Sequence, residues 1–265
     1  GVTSFIVTVP TIDDVLAEPG ASETLPLTIG GVTGIGAIID NDGAPSVSSV
    51  SADTRTEGTA LVHTVTLSNA SSVQTSFAYS LGGGTATGAG VDYTTPPTFS
   101  NGVTLVGGNL LVPAGVTSFT ITVPTTLDLI DEGASENYNL SVGGVAAVGT
   151  INDDDNAPTI SGVEPGAPGA GDDAVVEGTS LVYTVSLSNA SSVATTYPFS
   201  LGGGTATAGA DYTNAAVFSN GVTLVGGVIT VPAGVTSFTV TVPTIDDVLA
   251  EPGANETLPL TIGGV

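Results

Sequence analysis

Residues 115–145, GVTSFTITVPTTLDLIDEGASENYNLSVGGV, are the stretch from which the rest of the chain can be read. Apolar and polar residues alternate up to Val123, the period of a half-buried β-strand. Pro124 ends that run, an acidic segment without basic residues follows, and a second alternating run goes from Tyr138 to Val142. Residues 1–32 and 234–265 are versions of the same segment and differ from each other only at Ile6/Thr239 and Ser22/Asn255. The copies start at Gly1, Gly115 and Gly234, 114 and 119 residues apart, a domain length and too long for one turn of a solenoid. The expectation is a window cut from a longer array of tandem domains, beginning and ending in mid-domain.

Composition narrows the partners. One basic residue, Arg55, faces 25 Asp and Glu, for a formal charge of −24. Such a chain repels nucleic acid and anionic lipid surfaces, so neither is expected as a partner. At 41% apolar it is not a disordered polyanion. There is no Cys, which excludes disulfides, thiolate metal sites and a thiol nucleophile. No signal peptide or membrane-spanning run is evident, so this segment is not expected to insert into a membrane. The lack of Cys, Met and Trp fits an extracellular, surface-exposed array better than a cytosolic enzyme.

The turns phase the repeat. Asn41-Asp42-Gly43 and Asp154-Asp155-Asn156 each lead into Ala-Pro, at Ala44-Pro45 and Ala157-Pro158. This gives the C-terminal part of a domain (1–43), a complete domain (44–156), and a domain lacking its last strand (157–265). Short Val/Thr/Ile/Phe runs between Gly, Pro, Asn and Asp read as antiparallel β-sandwiches. In the middle domain the runs are Ser46–Ser51 (A), Leu61–Leu67 (B), Ser76–Leu81 (C), Asn109–Val112 (D), Val116–Val123 (E), Tyr138–Val142 (F) and Val148–Ile151 (G). Between C and D, Thr98–Ser100 and Val103–Val106 read as a hairpin turning at Asn101-Gly102. Leu181–Leu187 and Val235–Val242 repeat B and E, and Val65, Leu67, Phe119, Ile121 and Val123 are expected in the core.

Successive loops of an antiparallel sandwich alternate between its two poles. The A–B, C–D and E–F loops and the end of G then share one pole. The acids there are Glu57, Asp92, Asp128, Asp131, Glu132, Glu136, Asp153, Asp154 and Asp155. The third domain repeats them with Glu177, Asp211, Asp246, Asp247, Glu251 and Glu256, and the N-terminal part with Asp13, Asp14, Glu18, Glu23, Asp40 and Asp42. Together these are 21 of the 25 acids, and the other four (Asp53, Glu164, Asp172, Asp173) flank the A–B region. Carboxylates so dense, with one basic residue among them, must take up protons or bind cations. Oxygen-only ligands from several loops suit Ca²⁺; Mg²⁺ wants stricter octahedral geometry, and Zn²⁺ or copper would call for His or Cys. All 21 are candidate metal ligands, against the plainer possibility of a solvated acidic rim.

These residues resemble the Calx-beta domain. Its pattern is matched by Val175-Val176-Glu177-Gly178 and by Gly204-Thr205-Ala206-Thr207-Ala208-Gly209-Ala210-Asp211-Tyr212. It is matched further by Val242-Pro243 followed by Asp246-Asp247, Glu251 and Glu256, and by Asp153-Asp154-Asp155. The resemblance covers essentially the whole chain. It implies tandem Ig-like β-sandwiches in an extended array, with the matching acids binding Ca²⁺. The middle domain departs from it, with Thr126-Leu127-Asp128 where the other copies have Ile-Asp-Asp, and with one extra residue before Asp92. Near-identical, Lys-poor copies look like the repeats of giant bacterial RTX-type surface adhesins of biofilms.

Several residues have a plain reading. His63 aligns with Tyr183 and is read as a strand-face residue, Arg55 as solvated or acid-paired, and Tyr93 and Tyr212 as packing anchors. Gly82-Gly83-Gly84 precedes no helix and no Lys, so it is a loop and not a phosphate cradle. Asn69-Ala70-Ser71 and Asn189-Ala190-Ser191 match the N-glycosylation sequon, as Asn139-Leu140-Ser141 and Asn255-Glu256-Thr257 do. The functional expectation is a Ca²⁺-binding spacer of a long extracellular adhesin or fibre at the cell surface, with the ion stiffening interdomain junctions. Its expected partners are neighbouring repeats and, through self-association, other fibre chains. A carbohydrate- or protein-binding β-sandwich module is the alternative, although the loops lack Trp or Arg anchors. Paired carboxylates could serve a glycosidase, but acid pairs repeated in every copy argue against an enzyme.

Overall fold

The computed structural model describes residues 1–20, 22–166, 174–248 and 255–264. Strands alone make up its regular structure, and the described residues form two compact units. The first unit is Gly1–Leu127 with Glu136–Asn152; the second is Asp128–Ser135 with the chain from Asp153 onward.

In the first unit the strands are β1 (Leu16–Ala17), β2 (Glu23–Ile29), β3 (Val32–Ile38), β4 (Val47–Val50), β5 (Asp53–Thr56), β6 (Leu61–Leu67) and β7 (Ala70–Ser71). They continue as β8 (Thr75–Gly82), β9 (Thr98–Phe99), β10 (Thr104–Val106), β11 (Asn109–Val112) and β12 (Ser118–Val123). β13 (Ile130–Asp131) lies in the second unit, and β14 (Glu136–Val142) and β15 (Val145–Asn152) return to the first. One sheet has the order β10-β11-β8-β14-β15-β5 and the other β4-β6-β12-β9. Their alternating residues, among them Leu61, Val65, Leu67, Phe119, Ile121, Val123, Leu110, Tyr138 and Leu140, form one buried core. The expected core residues are all in it.

The second unit repeats the plan with β16 (Ile160–Pro165), β17 (Leu181–Leu187), β18 (Ala190–Ser191), β19 (Thr195–Leu201) and β20 (Val217–Phe218). Its remaining strands are β21 (Thr223–Val225), β22 (Val228–Val231), β23 (Ser237–Val242) and β24 (Leu260–Ile262). The sheets run β16-β17-β23-β20 and β21-β22-β19-β24 around a core that includes Val185, Ile229, Phe238, Val240 and Ile262. In the Glu164–Gly171 insertion, Glu164 and Pro165 end β16, and residues 167–171 lie outside the described residues.

Three sequence expectations change. The run at 98–106 is not a hairpin: β9 pairs with β12 and β10 with β11, in opposite sheets. Asn101 and Gly102, at φ 54° and 71°, do turn the chain, but they carry it from one sheet to the other. The tight hairpin is the next one, where Gly107-Gly108 joins β10 to β11. Strand A is β4, but a strand not read from the sequence follows it: the chain changes sheets after β4, and β5 lies parallel to β15 at the edge of the larger sheet.

The third change is instructive. The sequence that forms β12 and β23 is not a strand at residues 4–9, where Phe5 and Ile6 are 70% and 91% exposed. β12 is held between β6 and β9, whereas residues 4–9 pair with no strand among the described residues. A β-propensity without a cross-strand partner does not by itself form a strand. By contrast β2 and β3, which follow each other directly, pair as a hairpin from Glu23↔Ile38 to Ile29↔Val32.

Candidate metal centres

The acids flanking β1 and those before β4 are arranged by backbone N–H groups. Asp14 Oδ1 accepts the Leu16 N–H at 2.9 Å. Asp40 accepts two, from Asp42 at Oδ1 and from Glu18 at Oδ2, both at 2.9 Å. The second unit repeats these bonds: Asp128 Oδ1 accepts the Ile130 N–H at 2.8 Å, and Asp153 accepts from Asp155 and Glu132, both at 2.9 Å. In most of them the N–H two residues on donates to the carboxylate, the Asx turn. A single aspartate thereby ties the E–F loop to the segment after G, at Asp40 in the first unit and at Asp153 in the second.

Like charges set the electrostatics. Two backbone N–H groups, of Glu18 and Asp42, hold the Asp40 carboxyl below its ordinary range. Its neighbours move the other way. Glu18 is pushed up by the charge of Glu23, then by burial and by Asp14 and Asp40; Asp42 is pushed up by burial, then by Asp40, Asp14 and Asp13. In the second unit burial raises Asp155, and the charges of Asp153, Asp154, Asp128 and Asp131 add to it. Asp155 Oδ2 is buried with no hydrogen-bond partner, and Asp128 and Asp155 offer carboxylate oxygens within 4.8 Å of each other. Arg55, the one guanidinium of the chain, is committed to Asp53 at 3.1 Å.

A second grouping lies at the start of strand F. Asp92 is buried and accepts the Thr87 N–H. Glu136, the first residue of β14, is pushed up to about 7 by burial and by a hydrogen bond with Asp92 and that residue's charge. A hydrogen bond between two carboxyl groups needs a proton, so Glu136 donates to Asp92 while its Oε2, buried and without a partner, stays unsatisfied. The second unit repeats the pair: Glu256 is raised by burial, by its hydrogen bond with Asp211, and by the charges of Asp211 and Glu177. Glu177, Asp211 and Glu256 line one cavity of about 730 Å³ with Tyr183, Tyr212 and Leu258. Glu57, the counterpart of Glu177, is buried just beyond β5, and its N–H donates to the Asn152 carbonyl at 3.0 Å.

Not every acid is available to an ion in the same way. Asp131 is buried and accepts hydrogen bonds from Ser191 Oγ at 2.9 Å and the Gly133 N–H at 3.2 Å. Ala17 stands in its place in the first unit. Asp13, Glu23, Asp154, Asp246 and Asp247 are exposed, and Glu251 lies outside the described residues. His63 is fully buried in β6, with Nδ1 2.7 Å from the Ser51 carbonyl and Nε2 2.9 Å from the Tyr138 hydroxyl. Tyr93 and Tyr212 are buried packing residues, as the sequence implies.

The sequence reading missed the anchoring role of Asp40 and Asp153. The signal was there in the Asp-x-Asp spacing at 40–42 and 153–155. The donor set is oxygen only, it contains buried carboxylate oxygens without donors, and its charges repel. That chemistry fits a hard cation taking several flexible oxygen ligands.

No family model matches the chain, and no curated protein matches it. Among solved structures it is similar to CBD12 from CALX1.2, at 16% identity over 76% of this chain and 74% of that one, with a TM-score of 0.32. The calcium binding domain CBD12 of CALX1.1 is similar at 17% identity over 77% of each chain, TM-score 0.32. The I9–I11 tandem of titin is similar at 9% identity over 93% of this chain and 72% of that one, TM-score 0.20.

Proposed function

We propose that the chain is a run of Ca²⁺-binding β-sandwich repeats serving as a spacer in a long extracellular adhesin or fibre at the cell surface. Asp155 Oδ2 carries the case: a buried carboxylate oxygen with no donor, in a carboxyl group raised by burial and by four neighbouring aspartates. A divalent cation would satisfy that oxygen and remove the repulsion together. Asp128, Glu132, Asp153 and Asp155 would hold it in the second unit, and Asp14, Glu18, Asp40 and Asp42 in the first. Asp92 with Glu136, and Asp211 with Glu256, would give up their shared proton to further ions. A bound ion supplies positive charge and several oxygen contacts. The residues themselves supply the geometry, because Asp40 and Asp153 already fix the loop and exit segment on which the other ligands ride.

A spacer reading follows from where these acids fall along the chain. Asp42 and Asp155 stand one residue short of the Ala-Pro steps at 44–45 and 157–158. Fixing them would restrict the chain as it leaves each copy of the repeat, and proline restricts the next step. Near-identical copies suit a part whose contribution is length. Isothermal titration of chelator-stripped protein is expected to show uptake of several Ca²⁺ ions, and no heat up to millimolar Ca²⁺ would reject the proposal. Stiffening is checked separately with a glutamate-specific protease, whose cutting after Glu132 should slow when Ca²⁺ is added.

A further inference from the structure

Each unit contains one two-residue parallel pairing that belongs to neither of its larger sheets: β1 with β7, and β13 with β18. The atoms involved are the same in both. The Ala17 carbonyl accepts the Ser72 N–H at 2.9 Å and the Ser71 hydroxyl at 3.2 Å. The Asp131 carbonyl accepts the Ser192 N–H at 2.8 Å and the Ser191 hydroxyl at 3.0 Å. Ser71 and Ser191 are buried, at 6% and 4% exposure.

Each serine is fixed on its other side. Its hydroxyl oxygen accepts the N–H of Val73 or Val193, both at 3.2 Å, and its carbonyl accepts the N–H of Gly115 or Gly234, both at 2.8 Å. With one hydroxyl lone pair so engaged, the hydroxyl proton of Ser71 points at the incoming carbonyl, and that of Ser191 at the carbonyl and carboxylate of Asp131. The asparagine before it grips the linker: Asn69 Nδ2 donates to the Gly43 carbonyl, and Asn189 Nδ2 to the Asn156 carbonyl, both at 2.9 Å. The N-glycosylation-like sequences at 69–71 and 189–191 thus have a structural use for both their Asn and their Ser.

We infer that the Asn-Ala-Ser-Ser turn is a recognition site whose partner is the E–F loop and exit linker of the preceding copy of the repeat. It reads a main-chain carbonyl on a two-residue extended segment, so it tolerates either Ala17 or Asp131 there. At Asp131 the single Ser191 hydroxyl proton is shared between the carbonyl and the carboxylate Oδ2, an alternative that Ala17 does not offer. The clasp at Ala17 contains no carboxylate, and in both copies the main-chain carbonyl is read without a cation, so the pairing should form in chelator as in Ca²⁺ and can stand if that proposal fails.

The absence of cysteine makes the test clean, because β-pairing partners lie within disulfide reach. In the full chain, the pairs Leu16→Cys with Ala70→Cys and Ile130→Cys with Ala190→Cys should close on mild oxidation, in chelator as in Ca²⁺. The mismatched pair Leu16→Cys with Ala190→Cys should close at least fivefold less. Adding Ser71→Ala should slow closure of the first pair severalfold and leave the second unchanged. Amide exchange on the unmodified chain gives a check that needs no variant, with Ser72 and Ser192 protected well above an open turn. Equal closure of matched and mismatched pairs, closure only with Ca²⁺, or unprotected Ser72 and Ser192 amides would overturn the inference.

Discussion

Glu136 shows at a single residue what the acidic clusters do to stability. Its carboxyl is pushed from the ordinary 4.5 to about 7, first by burial and then by Asp92. Between those two values the folded chain keeps a proton that the unfolded chain gives up, so stability falls as pH rises through the window. Glu256, Asp155, Asp42 and Glu18 are shifted in the same direction. Asp40 and Asp53 are shifted down, so their contribution is lost only below the ordinary aspartate range and does not interfere. In chelator the melting temperature should therefore fall between pH 5 and pH 7.5, and millimolar Ca²⁺ should remove most of that fall. Glu136→Gln should raise the chelated melting temperature at pH 7.5. Calorimetry across the pH series decides it, and a flat profile in chelator would mean that these carboxyl groups do not repel in the folded state.

Strands were legible from alternation; their partners were not. β6, β17 and β11 have the bounds read from sequence, yet the run at 98–106 was read as one hairpin and is two strands of opposite sheets. Asn101-Gly102 specifies only a local bend, whereas the choice of partner belongs to Phe99, opposite Ile121 on β12 and distant in sequence, and to Leu105, which the next turn pairs with Leu110 on β11. β5 was missed because Thr54-Arg55-Thr56 has no apolar alternation: it is an edge strand held by its parallel pairing to β15. The acids and their Asx spacing could be read, but not which were anchored by backbone N–H groups or buried, since both depend on the loops meeting. One position tests how strictly the sheet is specified. Gly149 lies opposite Tyr138 in β14–β15, and a Cβ there would come 2.2 Å from the tyrosine ring. Gly149→Ala must displace the largest fully buried side chain and should cost about 1–3 kcal/mol in urea unfolding. Gly34→Ala, within β3 at an ordinary φ and with nothing for the added atom to meet, provides the control for a strand Gly→Ala change without the clash.

At the scale of the whole molecule, repetition is of devices as much as of sequence. The Asp14/Asp40 arrangement returns as Asp128/Asp153, the Glu136–Asp92 pair as Glu256–Asp211, and the clasp at Ser71 as the clasp at Ser191. The copies differ where a device tolerates it, as at Ala17 and Asp131. A chain built this way is nearly free of basic residues, and that has a consequence for digestion. Trypsin has a single place to cut, after Arg55, and that residue sits inside β5, paired with Ile151 at the edge of the six-stranded sheet. A strand must leave its sheet to enter a protease cleft, so loss of intact chain should report the opening of β5 alone, and with enough trypsin its rate should level off at the opening rate. The products should be two fragments, 1–55 and 56–265. Arg55 thus turns a common protease into a gauge of one edge strand.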